Sequence, residues 1–291
     1  MNITQIDKVV DNFLVSKFGE IVGTDSFIYY WGYEFWENGA DPRSQDYFLV
    51  GISHIGFQAI IALYLATVFI LIPEFMRKKR PYTLTKAMLF YNVFLVIINA
   101  YFCLRVLIFT TNFGREMWNF TNPKNDTSEK AMDFIDVAYW YYISKIVDFF
   151  DTFFMAFKKK NSQITVLHIW HHMSMVGAGW MYMKYNPYMP TCAIIPIVNG
   201  FIHVVMYGYY ALASLGPKYQ KYLWWKKYIT QIQLFQFIIH VIWFSIVTIK
   251  QTDMPLGYLV ANLGNAIALF SLFMNFYLKA YFKNKKLVKK D

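Results

Sequence analysis

The stretch FLVGISHIGFQAIIALYLATVFILI at residues 48–72 contains no Asp, Glu, Lys or Arg, and PEFMRKKR follows it directly at 73–80. A helix of about 20 residues at 1.5 Å rise crosses about 30 Å of hydrocarbon, so the run is long enough to span a bilayer. The basic cluster that ends it marks the cytosolic side. Working outward, six further stretches read as spans, near 84–110, 134–157, 164–184, 189–212, 228–250 and 256–279. The third is the least apolar, because Lys145, Asp148 and Asp151 interrupt it. Placed among stronger candidates, it reads as a span facing the bundle interior. The predicted fold is therefore an all-α polytopic membrane protein of about seven transmembrane helices.

Composition agrees. Of 291 residues, 57% are hydrophobic and 21% aromatic, while 16% are charged, against about a quarter in soluble domains. The net charge of +10 would suggest nucleic acid if the basic residues shared one soluble face. They lie instead between apolar runs, so topology explains them and no nucleic-acid partner is expected. Cys103 and Cys192 are the only cysteines, too few for a disulfide framework or a thiolate metal site. The N-terminal region, with Asp7, Asp11 and Glu20, does not read as a cleaved signal peptide.

Every second loop is basic. Arg77–Arg80 follow span one, Lys158–Lys160 follow span three, Lys218, Lys221, Lys226 and Lys227 separate spans five and six, and Lys283, Lys285, Lys286, Lys289 and Lys290 follow span seven. The positive-inside rule places these in the cytosol, with a lumenal N-terminus and a cytosolic C-terminus. Sequons at Asn2, Asn119 and Asn125 fall on the predicted lumenal side. The lysine-rich end reads first as an ordinary cytosolic flank, with early-secretory retention as a weaker option. Residues 1–46 form a lumenal lead-in, 47–280 the seven-span domain and 281–291 a basic cytosolic tail.

Four spans carry polar groups at helical spacing. Lys145, Asp148 and Thr152 fall at i, i+3 and i+7, with Asp151 beside them. Residues three or four apart share a helix face, so lysine and aspartate can neutralise each other. A single charge at the bilayer centre costs roughly 2.5–3.5 kcal/mol, so several retained together imply pairing and a polar cavity. His168, His171 and His172 set three imidazoles on one face, available as ligands, bases or nucleophiles. Asn199, His203, Met206, Tyr207 and Tyr210 form a stripe, and Gln233, Gln236 and His240 form another. Each set alone is compatible with structural packing. Together they describe an enclosed chamber with convergent polar groups.

These stretches resemble the motifs of the very-long-chain fatty acid elongase (ELO) family. His168-Ile-Trp-His171-His172 is similar to its HxxHH box. Asn199-Gly-Phe-Ile-His203-Val-Val-Met206-Tyr207-Gly-Tyr209-Tyr210 and Thr230-Gln231-Ile-Gln233-Leu-Phe-Gln236-Phe237 look like two further motifs, both complete. Lys145-Ile-Val-Asp148-Phe-Phe-Asp151-Thr152 follows KxxExxDT with Asp for Glu, which keeps the charge on a shorter arm. Lys160–Gln163 and Leu223–Tyr228 also look familial, and the resemblance covers roughly 45–280 in order.

The resemblance implies a seven-span endoplasmic reticulum enzyme with an internal substrate tunnel. It would condense a long-chain acyl-CoA with malonyl-CoA to 3-ketoacyl-CoA, carbon dioxide and CoA. No bound cofactor or metal is implied. By the same resemblance His171 is the acylated residue, with His168 and His172 orienting or deprotonating it. His203 assists decarboxylation or holds the enolate oxygen, with Asn199 as its orienting neighbour. Lys145, Asp148, Asp151, Thr152 and Tyr207 form the supporting network. Gln233, Gln236 and Tyr210 line the channel, and Lys226 and Lys227 meet CoA phosphates or serve as a positive flank. A histidine acyl-carrier suits a chain whose cysteines lie outside all four motifs.

Partners expected are the bilayer, the two CoA thioesters and the ketoreductase, dehydratase and enoyl reductase of the elongation cycle, and a homodimer is left open. Gln163 points to the polyunsaturated branch, and Trp170, where Tyr or Phe is usual, points away from it. A di-iron desaturase or hydroxylase is the enzyme alternative, but six histidines fall short of the roughly eight it needs. A seven-span receptor or transporter would explain the topology and not the motifs.

Overall fold

The computed structural model describes residues 3–110, 115–121, 124–250 and 256–283, and no strand occurs among the described residues. Asn2 and the tail lysines Lys285, Lys286, Lys289 and Lys290 lie outside them. In chain order the helices are α1 (Ile3–Val22), α2 (27–37, with a π-helical turn at Tyr30–Glu34) and α3 (His54–Met76, with another at Thr67–Leu71). Then come α4 (Thr85–Phe109), α5 (Glu129–Val147), α6 (Phe149–Phe157) and α7 (Val166–Tyr185). The last are α8 (Ile194–Ser214), α9 (Lys226–Lys250) and α10 (Leu256–Leu278).

Five segments are long and apolar enough to cross a membrane: His54–Met76, Thr85–Phe109, Pro190–Ser214, Lys226–Lys250 and Leu256–Phe282. In Leu256–Phe282 only 17% of the most apolar window is buried within the protein. Its remaining apolar surface needs a hydrocarbon solvent, since soluble chains rarely expose contiguous patches of that kind. The protein is a polytopic α-helical membrane protein. Two other segments expected as spans are helical but more polar. The 129–157 segment breaks at Asp148, and α7 carries His168, His171, His172 and Lys184.

The described residues pack as two compact units, one drawn from 1–82, 123–164 and 172–188, the other from 83–122, 165–171 and 189–291. In the first unit, α3 starts at His54 and not at Phe48. The Ser53 hydroxyl caps it by accepting the Gly56 N–H at 3.0 Å. Asp11 of α1 in turn accepts the Ser53 N–H at 2.9 Å and the Ser53 hydroxyl proton. Leu49 sits in the left-handed region at φ +61°, where its N–H reaches Asp7 at 3.0 Å. The apolar run at 48–53 hid this start, because the acids that shape it lie some forty residues upstream. Helix α3 also runs on to Met76, past the expected end at Ile72. The Pro73 ring crowds the carbonyl of residue 69, and the wide turn at Thr67–Leu71 absorbs that crowding without ending the helix.

Helix α7 packs in this unit through Trp180, whose ring stacks on Phe57 of α3 at 4.6 Å. One turn later Lys184 is fully buried, donating to both Glu37 oxygens at 2.9 Å and to the Ile52 carbonyl at 2.7 Å. Arg43 pairs with Asp41 at 2.7 Å and donates to the Asp126 carbonyl at 2.8 Å. Removing one member of a buried pair leaves the other uncompensated. Glu37 keeps some solvent contact, so Lys184→Met is expected to cost about 2–3 kcal/mol. A lower thermal midpoint in detergent checks this.

In the second unit α4 and α8 approach closely at Gly200. A Cβ there would stand 3.1 Å from the Asn99 carbonyl oxygen and 3.3 Å from Cys103 Cβ. The Cys103 thiol donates to the Ile197 carbonyl at 3.3 Å. Small residues at such crossings let helix backbones meet within lipid. Gly200→Val is expected to force the pair apart at about 1–3 kcal/mol, measurable as lost thermal stability with helix content unchanged.

Candidate functional site

In the first unit, Lys145 donates to Asp148 Oδ2 at 2.9 Å, with both side chains at 5% exposure or less. The pairing expected from i, i+3 spacing is therefore made. Asp148 also occupies the break between helices, as C-cap of α5 and N-cap of α6, with its N–H on the Ser144 carbonyl at 3.0 Å. Thr152 is fully buried and shares a hydrogen bond with the Tyr64 hydroxyl at 2.9 Å. The Tyr64 ring stacks on Phe149 at 3.9 Å, and His172, also buried, contacts Phe149 at 6.4 Å between centroids. Asp151 is half-buried. Tyr64 escaped the sequence reading because a tyrosine within an apolar run gives no periodic signal.

The second unit holds His168 and His171 of one motif and His203 of another. The His171 ring lies 6.3 Å from that of His203, and Phe273 of α10 stands nearly perpendicular to it at 6.1 Å. His203 meets Tyr207 edge-on at 5.5 Å, and Tyr207 meets Tyr91 of α4 at 6.4 Å. Asn199, His203 and Tyr207 are all buried, while Met206 is half-buried and Tyr210 is 42% exposed. The stripe read from α8 thus has a buried part and an outer end. Gln233 of α9 points its amide at Met206 Sδ, 3.4 Å away. Gln236 and His240 are buried on the same helix, and Phe237 packs on Phe273 at 5.0 Å. Lys226 is exposed, whereas Lys227 lies over the Tyr277 and Phe282 rings at 5.9 and 5.4 Å.

The three histidines of the box, expected on one face, divide their surroundings. His168 and His171 belong to the second unit, half-buried, and His172 to the first. Successive residues on a helix point 100° apart, so His171 and His172 meet different neighbours even on one broad face. Among the described residues no three His, Cys, Asp or Glu side chains are grouped as metal ligands.

A family model described as ELO, the GNS1/SUR4 family, matches residues 53–289. The chain belongs to the ELO family. Among its relatives is the very long chain fatty acid elongase 5 of Homo sapiens, 39% identical over 253 residues, covering 86% of this chain and 82% of that one. The elongase 7 of Drosophila melanogaster is 35% identical, with 85% and 74% covered. The elongase 5 of Tachysurus fulvidraco is 34% identical, with 89% and 86% covered. The family match takes in all four motifs and stops short of α1 and α2.

Proposed function

We propose that this protein performs the condensing step of fatty acid elongation, joining a long-chain acyl-CoA to malonyl-CoA in the endoplasmic reticulum membrane. The observation that carries the reading is membership of the ELO family across residues 53–289, with relatives named as fatty acid elongases. In this reading all seven apolar or polar-faced segments cross the bilayer, the N-terminus is lumenal, and the acyl tail enters a tunnel within the helices.

The chemistry divides into two steps. His171 nitrogen attacks the acyl thioester, forming an N–acyl bond, breaking the C–S bond and releasing CoA. Malonyl-CoA then loses carbon dioxide, and the resulting enolate carbon attacks the acyl-imidazole carbonyl. The C–N bond breaks, His171 is restored, and 3-ketoacyl-CoA leaves with the CoA that malonate brought. His168 and His172 orient or deprotonate the nucleophile, and His203, with Asn199 beside it, assists decarboxylation. Lys145, Asp148, Asp151, Thr152 and Tyr207 hold the polar network. Gln233, Gln236 and Tyr210 line the channel, and Lys226 and Lys227 meet CoA phosphates. The thioesters bring the activated groups, so no bound cofactor or metal is needed. Ketoreductase, dehydratase and enoyl reductase partners complete the cycle.

Purified protein incubated with labelled malonyl-CoA and a panel of saturated and polyunsaturated acyl-CoAs tests the function. Formation of 3-ketoacyl-CoA with one carbon dioxide per turnover is expected; no product across the panel sinks the proposal. The lumenal orientation is tested separately. Asn119 is exposed, with its Oδ1 held by Thr121, and Asn125 is exposed too. In cells, endoglycosidase treatment is expected to sharpen the mobility of the wild-type chain and to leave an Asn119→Gln/Asn125→Gln/Asn2→Gln variant unmoved.

A further inference from the structure

Helix α1 docks through a face that carries Asp7 and Asp11 beside the half-buried Leu14, Val15 and Phe18. Asp7 accepts the Leu49 N–H, Asp11 accepts from Ser53, and Lys8 pairs with Asp46 at 2.9 Å. The contact with α3 is close: a Cβ at Gly56 would collide with the Asp11 carboxylate. The opposite side of α1, with Ile3, Ile6, Val10 and Phe13 at i, i+3, i+7 and i+10, is left outward at 50–63% exposure. A helix folded against a water-soluble core would turn these residues inward and its acids out.

Helix α2 repeats the pattern. Trp36 stacks on His54 at 4.4 Å and Glu37 binds Lys184, so these two residues fasten the segment. Phe27, Trp31 and Phe35, four apart, touch one another ring to ring and are 46–77% exposed. Both helices are thus fixed by ion pairs, hydrogen bonds and the Trp36–His54 stack, with Phe18 of α1 stacked on Tyr29 of α2 at 6.0 Å, while their outer apolar stripes face away. Their attachment points, Ser53 and His54, are the cap and first residue of a membrane-crossing helix. That position is the boundary where Trp and amphipathic apolar faces partition into the headgroup region.

We propose that residues 3–37 form an interfacial anchor, laying both stripes into the leaflet on the side where α3 enters the membrane. Gln5, Lys8, Asn12 and Ser16 stay exposed on the remaining side of α1, and its apolar stripe ends at Phe13, before the exposed Lys17–Glu20 pair. The family-model match begins at residue 53, after the anchor. The anchor's consequence is mechanical. Membrane-held α1 and α2 fix the 49–53 turn and, through Glu37, the end of α7.

The native chain, reconstituted in phosphatidylcholine vesicles, allows the test. One sample is photolysed with a lipid-phase diazirine and another is footprinted with hydroxyl radicals in the aqueous phase. Carbene adducts on Ile6, Val10, Phe13 and Trp31 are expected at levels similar to those on the outward Leu63 and Phe69 of α3, and severalfold above Asn12 on the other side of α1. Radical oxidation of Phe13 and Trp31 is expected to be severalfold below that of exposed Tyr82. Rapid oxidation of the stripes without carbene adducts would place them in water and overturn the proposal. Protection from both reagents would overturn it equally, in favour of a second copy of the chain covering the stripes.

Discussion

The His171→Ala variant is expected to lose condensation by roughly a thousandfold or more, because on the proposed mechanism a nucleophile and not merely a proton-transfer group is removed. The expectation rests on where the ring stands. His171 is half-buried on α7, with His203 on one side at 6.3 Å and the edge-on Phe273 on another. On the proposed mechanism the phenyl ring would shield an acyl-imidazole on His171, and the second imidazole would act on the malonyl group. His203→Ala is expected to behave differently. It should still release about one equivalent of CoA from acyl-CoA alone, since the proposed mechanism uses it only in the second step, while overall condensation fails. Equal loss of the CoA burst in both variants would remove this division of labour.

The second large effect concerns stability. Lys145→Met leaves Asp148 as a carboxylate at 4% exposure without its cation, and the expected loss is about 3–5 kcal/mol. In membrane protein terms this means poor yield and an early thermal midpoint in detergent. Asp148→Leu alone is expected to be comparably harmful. The double variant Lys145→Met/Asp148→Leu should recover most of either loss, because replacing a whole buried pair by apolar groups is often close to neutral. Simple additivity of the two single effects would show that the 2.9 Å contact contributes little. Asp148→Glu, which matches the family's usual residue, is expected to fold normally, and its activity reports how far the longer arm shifts Lys145.

The architecture was legible to the degree that hydropathy decides it. Runs such as 84–110 and 228–250 have one reading, and α4 and α9 follow them within a residue or two. Edges shaped by distant groups were not legible: Asp11 sets the start of α3 from another helix, and Pro73 is accommodated by a π-turn that spacing rules do not foresee. The Lys145–Asp148 pair could be read because both members lie on one helix three residues apart. The Tyr64–Thr152 and Lys184–Glu37 contacts could not, since periodicity names the face of a residue and never its partner on another helix. The same limit explains the histidine box. Three imidazoles at i, i+3 and i+4 suggested one cluster, whereas the fold gives His171 to His203 and His172 to Phe149.

The central claim is that the acyl group passes through His171 on its way to malonate. Intact-protein mass spectrometry after incubation with acyl-CoA alone tests it most directly. The account predicts one adduct with the mass of the acyl group, discharged by malonyl-CoA, retained in His203→Ala and missing in His171→Ala. An unchanged adduct in His171→Ala, or product formed with no adduct at any time, would contradict it.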